Sequence, residues 1–388
     1  MAENRARNLF CDLFPYTQRA LSGRVGTSCR GKRRTMEKFL RKLWEYLRVS
    51  IGVFSLSLRQ IQSEYMIKKS LLIGAFCFPL VLWAQAPAEM TERVELIPYG
   101  DMERWTTRVI KESALLGGAT KEVYHLGPEQ TINGAQPWVR ESSDSPWGGS
   151  SVWASPVGID KVSVTVFPEE REPGNRCARL EVRKETCKAL GMVNITVVAT
   201  GSVFLGAVKE PVKNAKNPQG KLDQGIPFTQ RPKALQLDYK LQLADQLVKA
   251  TGLRSSEIEG KDNAEISLYL IQRWEDEEGN VYARRVGTAY HKFSESVAEW
   301  QNGYRIPIYY GDISNEPCYT PEMALILPDG PRYTTNSRGE NVPIQVVGWA
   351  DADAQPTHLM LRISSGDKGA FIGAVGTCFW IDNVSLVY

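Results

Sequence analysis

The stretch Arg231-Pro232-Lys233-Ala234-Leu235-Gln236-Leu237-Asp238-Tyr239-Lys240-Leu241-Gln242-Leu243 sets the reading of the fold. Apolar side chains fall at every second position from Leu235 to Leu243, with polar ones between. A helix needs apolar residues three and four apart, so this period of two predicts a half-buried strand, entered through Pro232. The same alternation recurs on both sides. Val162-Val164-Val166 is one run, ended by Pro168; Ala178-Leu180-Val182 and Val193-Ile195-Val197 follow. Downstream come Ile266-Leu268-Leu270, Ile306-Ile308-Tyr310, Ile344-Val346, Leu359-Leu361-Ile363 and a last run from Phe379 to Tyr388. The acidic cluster Glu275 to Glu278, with Gly279-Asn280, predicts a solvated hairpin turn into Val281.

Helical signals are few. Leu241 to Leu253 has room for a turn or two, and Ser294 to Gln301 reads as a short capped helix. Ala207 to Gln230 is too polar for core and reads as a long surface loop. Many strands with almost no helix predict an all-β protein, an antiparallel two-sheet sandwich, because each sheet must bury one face against another. No repeat of solenoid or propeller length is visible.

Ahead of these strands, Met66-Ile67-Lys68-Lys69 precedes an uncharged run from Ser70 to Trp83 and then Ala84-Gln85-Ala86. A positive start, an apolar stretch of 14 residues and small residues at a cleavage site are the parts of a secretory signal peptide. The run is short for a membrane span, and Pro79 interrupts it. Residues 66–86 are therefore expected to be a signal peptide, with residues 1–65 a mis-called N-terminal extension. The processed chain is expected in the periplasm or at the cell surface, not as an integral membrane protein. The net charge of +3 changes with that reading. Residues 1–65 hold 13 of the 47 basic and 5 of the 44 acidic residues, and Lys68 and Lys69 leave with the signal. Residues 87–388 keep 32 basic and 39 acidic residues, a net charge of −7, so no basic footprint for nucleic acid survives.

Four cysteines remain in the exported part: Cys177, Cys187, Cys318 and Cys378. Disulfides are permitted in that compartment, and three pairings are open. An extended run would place Cys177 and Cys187 about 30 Å apart and exclude that pair. Four buried thiols are the equal alternative. Nucleophile, phosphate-loop and dinucleotide motifs are absent. His125, His291 and His358 have no second ligand at metal spacing. Two facing carboxylates suffice for glycoside hydrolysis, and the 39 acidic residues of the exported part leave that route open.

Two constellations stand out. Trp138, Trp147 and Trp153 lie in a Gly/Ser/Pro-rich segment without periodicity, where indoles can offer flat faces to sugar rings or else plug the core. At the chain ends, Glu103 and Asp382 would be neighbours if the first and last strands pair, a candidate all-oxygen site for a structural Ca²⁺. Hydrogen bonding to backbone at a sheet edge is the alternative for both.

The opening "GDMERW" (Gly100–Trp105) and closing "FWIDNVSLVY" (Phe379–Tyr388) resemble the ends of galactose-binding-like jelly rolls in carbohydrate-binding modules. "NRCARLEVR" (Asn175–Arg183), "GIPFTQRPKALQLDYK" (Gly225–Lys240) and "SSGDKGAFIGAVGTCFWIDNVSLVY" (Ser364–Tyr388) resemble the "putative carbohydrate metabolism domain" family of exported Gram-negative proteins. The resemblance implies a jelly-roll β-sandwich over residues 95–388, an association with glycan use, and polysaccharide or oligosaccharide as partner. It carries no catalytic residues. The expected function is a non-catalytic, glycan-binding or glycan-handling accessory protein, with a glycoside hydrolase or lyase and a structural or adhesive surface protein as alternatives. Asp382-Asn383 replaces the paired acids that such modules often carry, one charge fewer for calcium.

Overall fold

The computed structural model describes residues 92–138, 144–189, 193–213, 217, 219–252 and 254–388. The expected signal peptide and the segment before it lie outside these residues. Among the described residues the chain is built from strands joined by loops and a few short 3-10 turns, with no α-helix.

Two sheets carry the fold. In the smaller, the strands run in the order Val297–Pro307, Ala234–Gln242, Cys378–Val387, Asn175–Glu181, Val166–Glu172, and Val94–Leu96 adds to the end of Cys378–Val387. The first strand thus pairs with the last. In the larger, Leu222–Gln224, Ser202–Val208, His358–Ser364, Ala264–Glu275, Val281–Phe293, Asn341–Trp349 and Tyr333–Thr335 lie side by side. Every pairing along these two paths is antiparallel except that of Val281–Phe293 with Asn341–Trp349.

The main core lies between them. Leu235, Leu237, Tyr239 and Leu241 from the smaller sheet, with Leu180, Phe379 and Ile381, share one apolar cluster with Ile266, Leu268, Leu270, Leu359, Leu361 and Ile363 from the larger. The alternation that predicted strands is therefore the inward face of a sandwich. Each such side chain contributes about 1.5–3 kcal/mol by leaving water. The larger sheet is also covered on its outer face. Tyr269, Ile271, Val281, Ala283, Ile344 and Met360 form a second cluster with Leu327, from a loop folded over the sheet. This explains why Ala264 to Ile271 are buried without a break.

Four expectations need correction. Ser294 to Gln301 is not helical: Val281–Phe293 and Val297–Pro307 are strands, with the turn between them. Pairing with Ala234–Gln242 outweighs the local helix signal there. Leu241 and residues 247–252 are likewise extended, in Ala234–Gln242 and Leu247–Gly252. The supposed loop Ala207 to Gln230 holds Leu222–Gln224 and Ile226–Pro227, both paired into the larger sheet. Pro168 does not end its run either. Val166–Glu172 continues through it, at the sheet edge, where a missing N–H donor is tolerated. The hairpin turn at Asp276 to Asn280 forms as read, with Asp276 Oδ1 accepting from Asn280 N at 2.7 Å.

Candidate functional site

Two of the three tryptophans of the polar segment are held by one carboxylate. Glu210 Oε2 accepts from Trp138 N at 3.0 Å, and Glu210 Oε1 accepts from Trp153 N at 2.7 Å. Glu210 is itself paired with Arg108 Nη2 at 2.8 Å, and both side chains are 1% exposed. Arg108 Nη1 donates to His125 Nε2 at 3.0 Å, and the His125 ring stacks on Trp138 with centroids 4.5 Å apart. A guanidinium only donates, so this imidazole is neutral with its proton on Nδ1. Burial holds His125 well below its ordinary pKa of 6.5, with the Arg108 charge adding to the effect. Trp147 is buried in the main core, and its Nε1 donates to Pro98 O at 2.8 Å. Trp153 is half-buried and donates from Nε1 to Asp160 Oδ1 at 2.9 Å. The indoles of Trp138 and Trp147 are thus covered, and Trp153 alone of the three retains surface.

The pair proposed for calcium does not meet. Glu103 accepts from Asn175 Nδ2 at 3.0 Å and from Arg176 N at 3.2 Å. Asp382 lies opposite Asp238 across the sheet, and Arg171 Nη1 bridges the two, at 2.6 Å from Asp382 and 2.8 Å from Asp238. A guanidinium sits where a cation would be held. Among the described residues no group of three or more acidic, histidine or cysteine side chains is arranged to hold a metal ion. Burial pushes the Asp382 carboxyl up to about 6, against the pull of Arg171 and of Asn383 N. The four cysteines are free thiols, and burial pushes Cys177 up to about 12.

Beside this triad, the outward side of the smaller sheet carries residues that the sequence reading missed. Lys240 lies opposite Trp380, with its ammonium 4.4 Å from that ring and 5.8 Å from the Trp300 ring. Arg171 stacks on Trp300 at 4.2 Å. Trp380 Nε1 donates to Glu169 Oε1 at 2.8 Å, and Arg179 Nε pairs with Glu169 Oε2 at 2.6 Å. The signal for Trp380 was available: Phe379 and Ile381 point inward, so Trp380 between them points out. At Glu169 this face meets an open cleft of about 1010 Å³ between the Val166–Glu172/Asn175–Glu181 hairpin and the Trp105–Lys111 and Gln130–Asn133 strands. Its walls are polar: Glu103, Glu129, Glu170, Gln130, Asn175 and Arg176. Carboxylates, amides and a guanidinium beside indole faces are the groups that bind sugar hydroxyls and ring faces.

The family described as "putative carbohydrate metabolism domain" matches residues 122–320, just over half of the 388 residues. The chain belongs to this family. Its matched part contains Trp138, Trp147, Trp153, Glu169, Arg179 and Trp300, whereas Glu103, Trp380 and Asp382 lie outside it. Among solved structures, one described as a "putative glycoside hydrolase" from Bacteroides thetaiotaomicron is 19% identical, with a TM-score of 0.40, over 62% of this chain and 62% of that one. The match therefore spans less than two thirds of that protein's length. Another with the same description, from Bacteroides vulgatus, is 13% identical at a TM-score of 0.37, over 76% of this chain and 94% of that one. No curated protein matches the chain.

Proposed function

We propose that the protein is an exported accessory protein that binds polysaccharide or oligosaccharide in the periplasm or at the cell surface, without cleaving it. The observation that carries this reading is the junction at Glu169, where the polar cleft meets the Trp380 and Trp300 face. Membership of a carbohydrate-metabolism family supports the ligand class. A non-catalytic role is supported by how two cleft carboxylates are held: Glu103 by Asn175 and the backbone of Arg176, Glu169 by Arg179 and Trp380. A group committed to structural donors is a poor proton shuttle. One observation favours hydrolysis as a second reading. Glu129 lines the same cleft and is 73% exposed, with only a 3.8 Å contact to Arg176. A glycan array followed by a reducing-sugar assay on each hit separates the readings. Binding without release is expected; release establishes the hydrolase, and silence on the array overturns glycan recognition.

A further inference from the structure

On the outer face of the larger sheet, beneath the loop that carries Leu327, lies a second cavity of about 370 Å³. Its walls are largely apolar: Ile271, Leu325, Leu327, Ile344, Val346 and Met360. At its mouth Ile326 is 88% exposed. Two arginines line it, and they are partnered unequally. Arg332 Nη1 donates to both oxygens of Asp329 at 2.9 Å. Arg285 is 1% exposed, and among the described residues no carboxylate pairs with it. Its contacts are the Thr288 hydroxyl at 3.3 Å from Nη1, the Tyr269 ring at 3.8 Å and the Trp349 ring at 6.0 Å. Its Nε has no hydrogen-bond partner among the described residues. Nearby, Arg362 pairs with Glu265 and lies 3.5 Å from Asp329, and its Nε also lacks a partner. Three guanidiniums thus face two carboxylates, one positive charge in excess. Burial lowers Arg285 to about 10, which still leaves it charged at neutral pH.

We propose that this cavity is a binding site for a small organic monocarboxylate with an apolar body, whose carboxylate pairs with Arg285. A buried cation is tolerated when an anion completes it, and a guanidinium edge matches a carboxylate's two oxygens. The single excess charge selects a monoanion. Apolar walls with few hydrogen-bonding groups select an alkyl or aryl body over a sugar. A volume near 370 Å³ is at the small end of ligand sites. This site is separate from the cleft at Glu169, so its failure would leave the glycan reading untouched.

The test is a thermal-shift and calorimetric titration of the purified protein with straight-chain carboxylates of four to eight carbons and with phenylacetate. The matching alcohols and sodium sulfate run in parallel. Carboxylates should raise the melting temperature with dose, and alcohols and sulfate should not. Arg285→Met should weaken binding at least tenfold while leaving the ligand-free melting temperature equal or higher, since an uncompensated charge has been removed. Val346→Trp, which fills the cavity and keeps Arg285, should also abolish the shift, and it decides the matter if Arg285→Met does not fold. Silence across the series, equal shifts from sulfate or alcohols, or unchanged binding in either variant overturns the proposal. So does a ligand-free Arg285→Met that folds but melts well below the wild type, because Arg285 would then be a structural stacking residue.

Discussion

Arg108 and Arg285 are equally buried, each 1% exposed, and their surroundings differ in one respect. Arg108 meets Glu210 at 2.8 Å, and that same carboxylate also accepts two tryptophan amides. Arg285 meets aromatic faces and one hydroxyl. A closed network fixes structure and leaves nothing for a ligand, whereas an open one retains capacity for an anion. The region that looked functional by composition is the closed network. The region with only a faint local signature is the open one.

The largest effect should come from breaking the closed network. Glu210→Ala strands the Arg108 charge and two backbone donors, and removing one partner of a buried pair costs about 3–5 kcal/mol. Denaturant unfolding measures this, and a loss under about 1 kcal/mol would mean that Arg108 is satisfied otherwise. Trp147→Ala comes next. It removes a ring from the main core and frees the Pro98 carbonyl, at about 3 kcal/mol or more. If Trp147→Ala instead weakens glycan binding with an unchanged melting temperature, the ring is exposed in the working state and the buried geometry is incomplete.

These two predictions show how much was legible. Period-two runs located the strands and the inward face, because that pattern is local. Burial on the second face of Ala264–Glu275 was not local: it depends on Leu327, far along the chain. The tryptophan segment stayed open between exposed faces and a core plug because its partner, Glu210, lies 72 residues from Trp138. Glu103 and Asp382 were paired as a candidate cation site, whereas Arg171, 211 residues from Asp382, was invisible as the cation between Asp238 and Asp382. Arg285 did leave a trace. Val281, Ala283 and Arg285 share one strand face by period two, so a charge falls on an apolar stripe.

Trp380→Ala sharpens the contrast from the other side, since this ring lies outward beside Lys240 and Glu169. Losing a stacking face should weaken glycan affinity several-fold, about 1 kcal/mol, with little change in melting temperature. The measurement is a titration with any array hit. A large fall in melting temperature with unaltered affinity would place Trp380 with the packing residues and move the binding face elsewhere.

The smallest effect is a pH slope in the closed network. His125 is held neutral by burial and by Arg108, well below 6.5. Once the pH falls below 6.5, the unfolded chain takes up a proton at this imidazole that the folded chain refuses. Stability from the neutral ring is therefore complete above that value and is lost progressively on acidification. Asp382 acts in the opposite direction. Its carboxyl is raised from 3.8 to about 6, so the folded state binds the proton first, and its contribution grows as the pH falls from about 6 toward 3.8. The wild-type slope sums these with other groups, among them Asp262, which burial raises to about 6, and only a variant isolates His125. His125→Gln keeps an oxygen to accept from Arg108 and does not titrate. Subtracting its unfolding free energy from that of the wild type between pH 8 and 5 should give a flat line above 6.5 and a fall below it, less than about 1 kcal/mol near pH 6. A difference that stays flat to pH 5 would mean that the folded protein protonates His125 as readily as the unfolded chain. The Arg108–Glu210 network would then be open to water rather than closed.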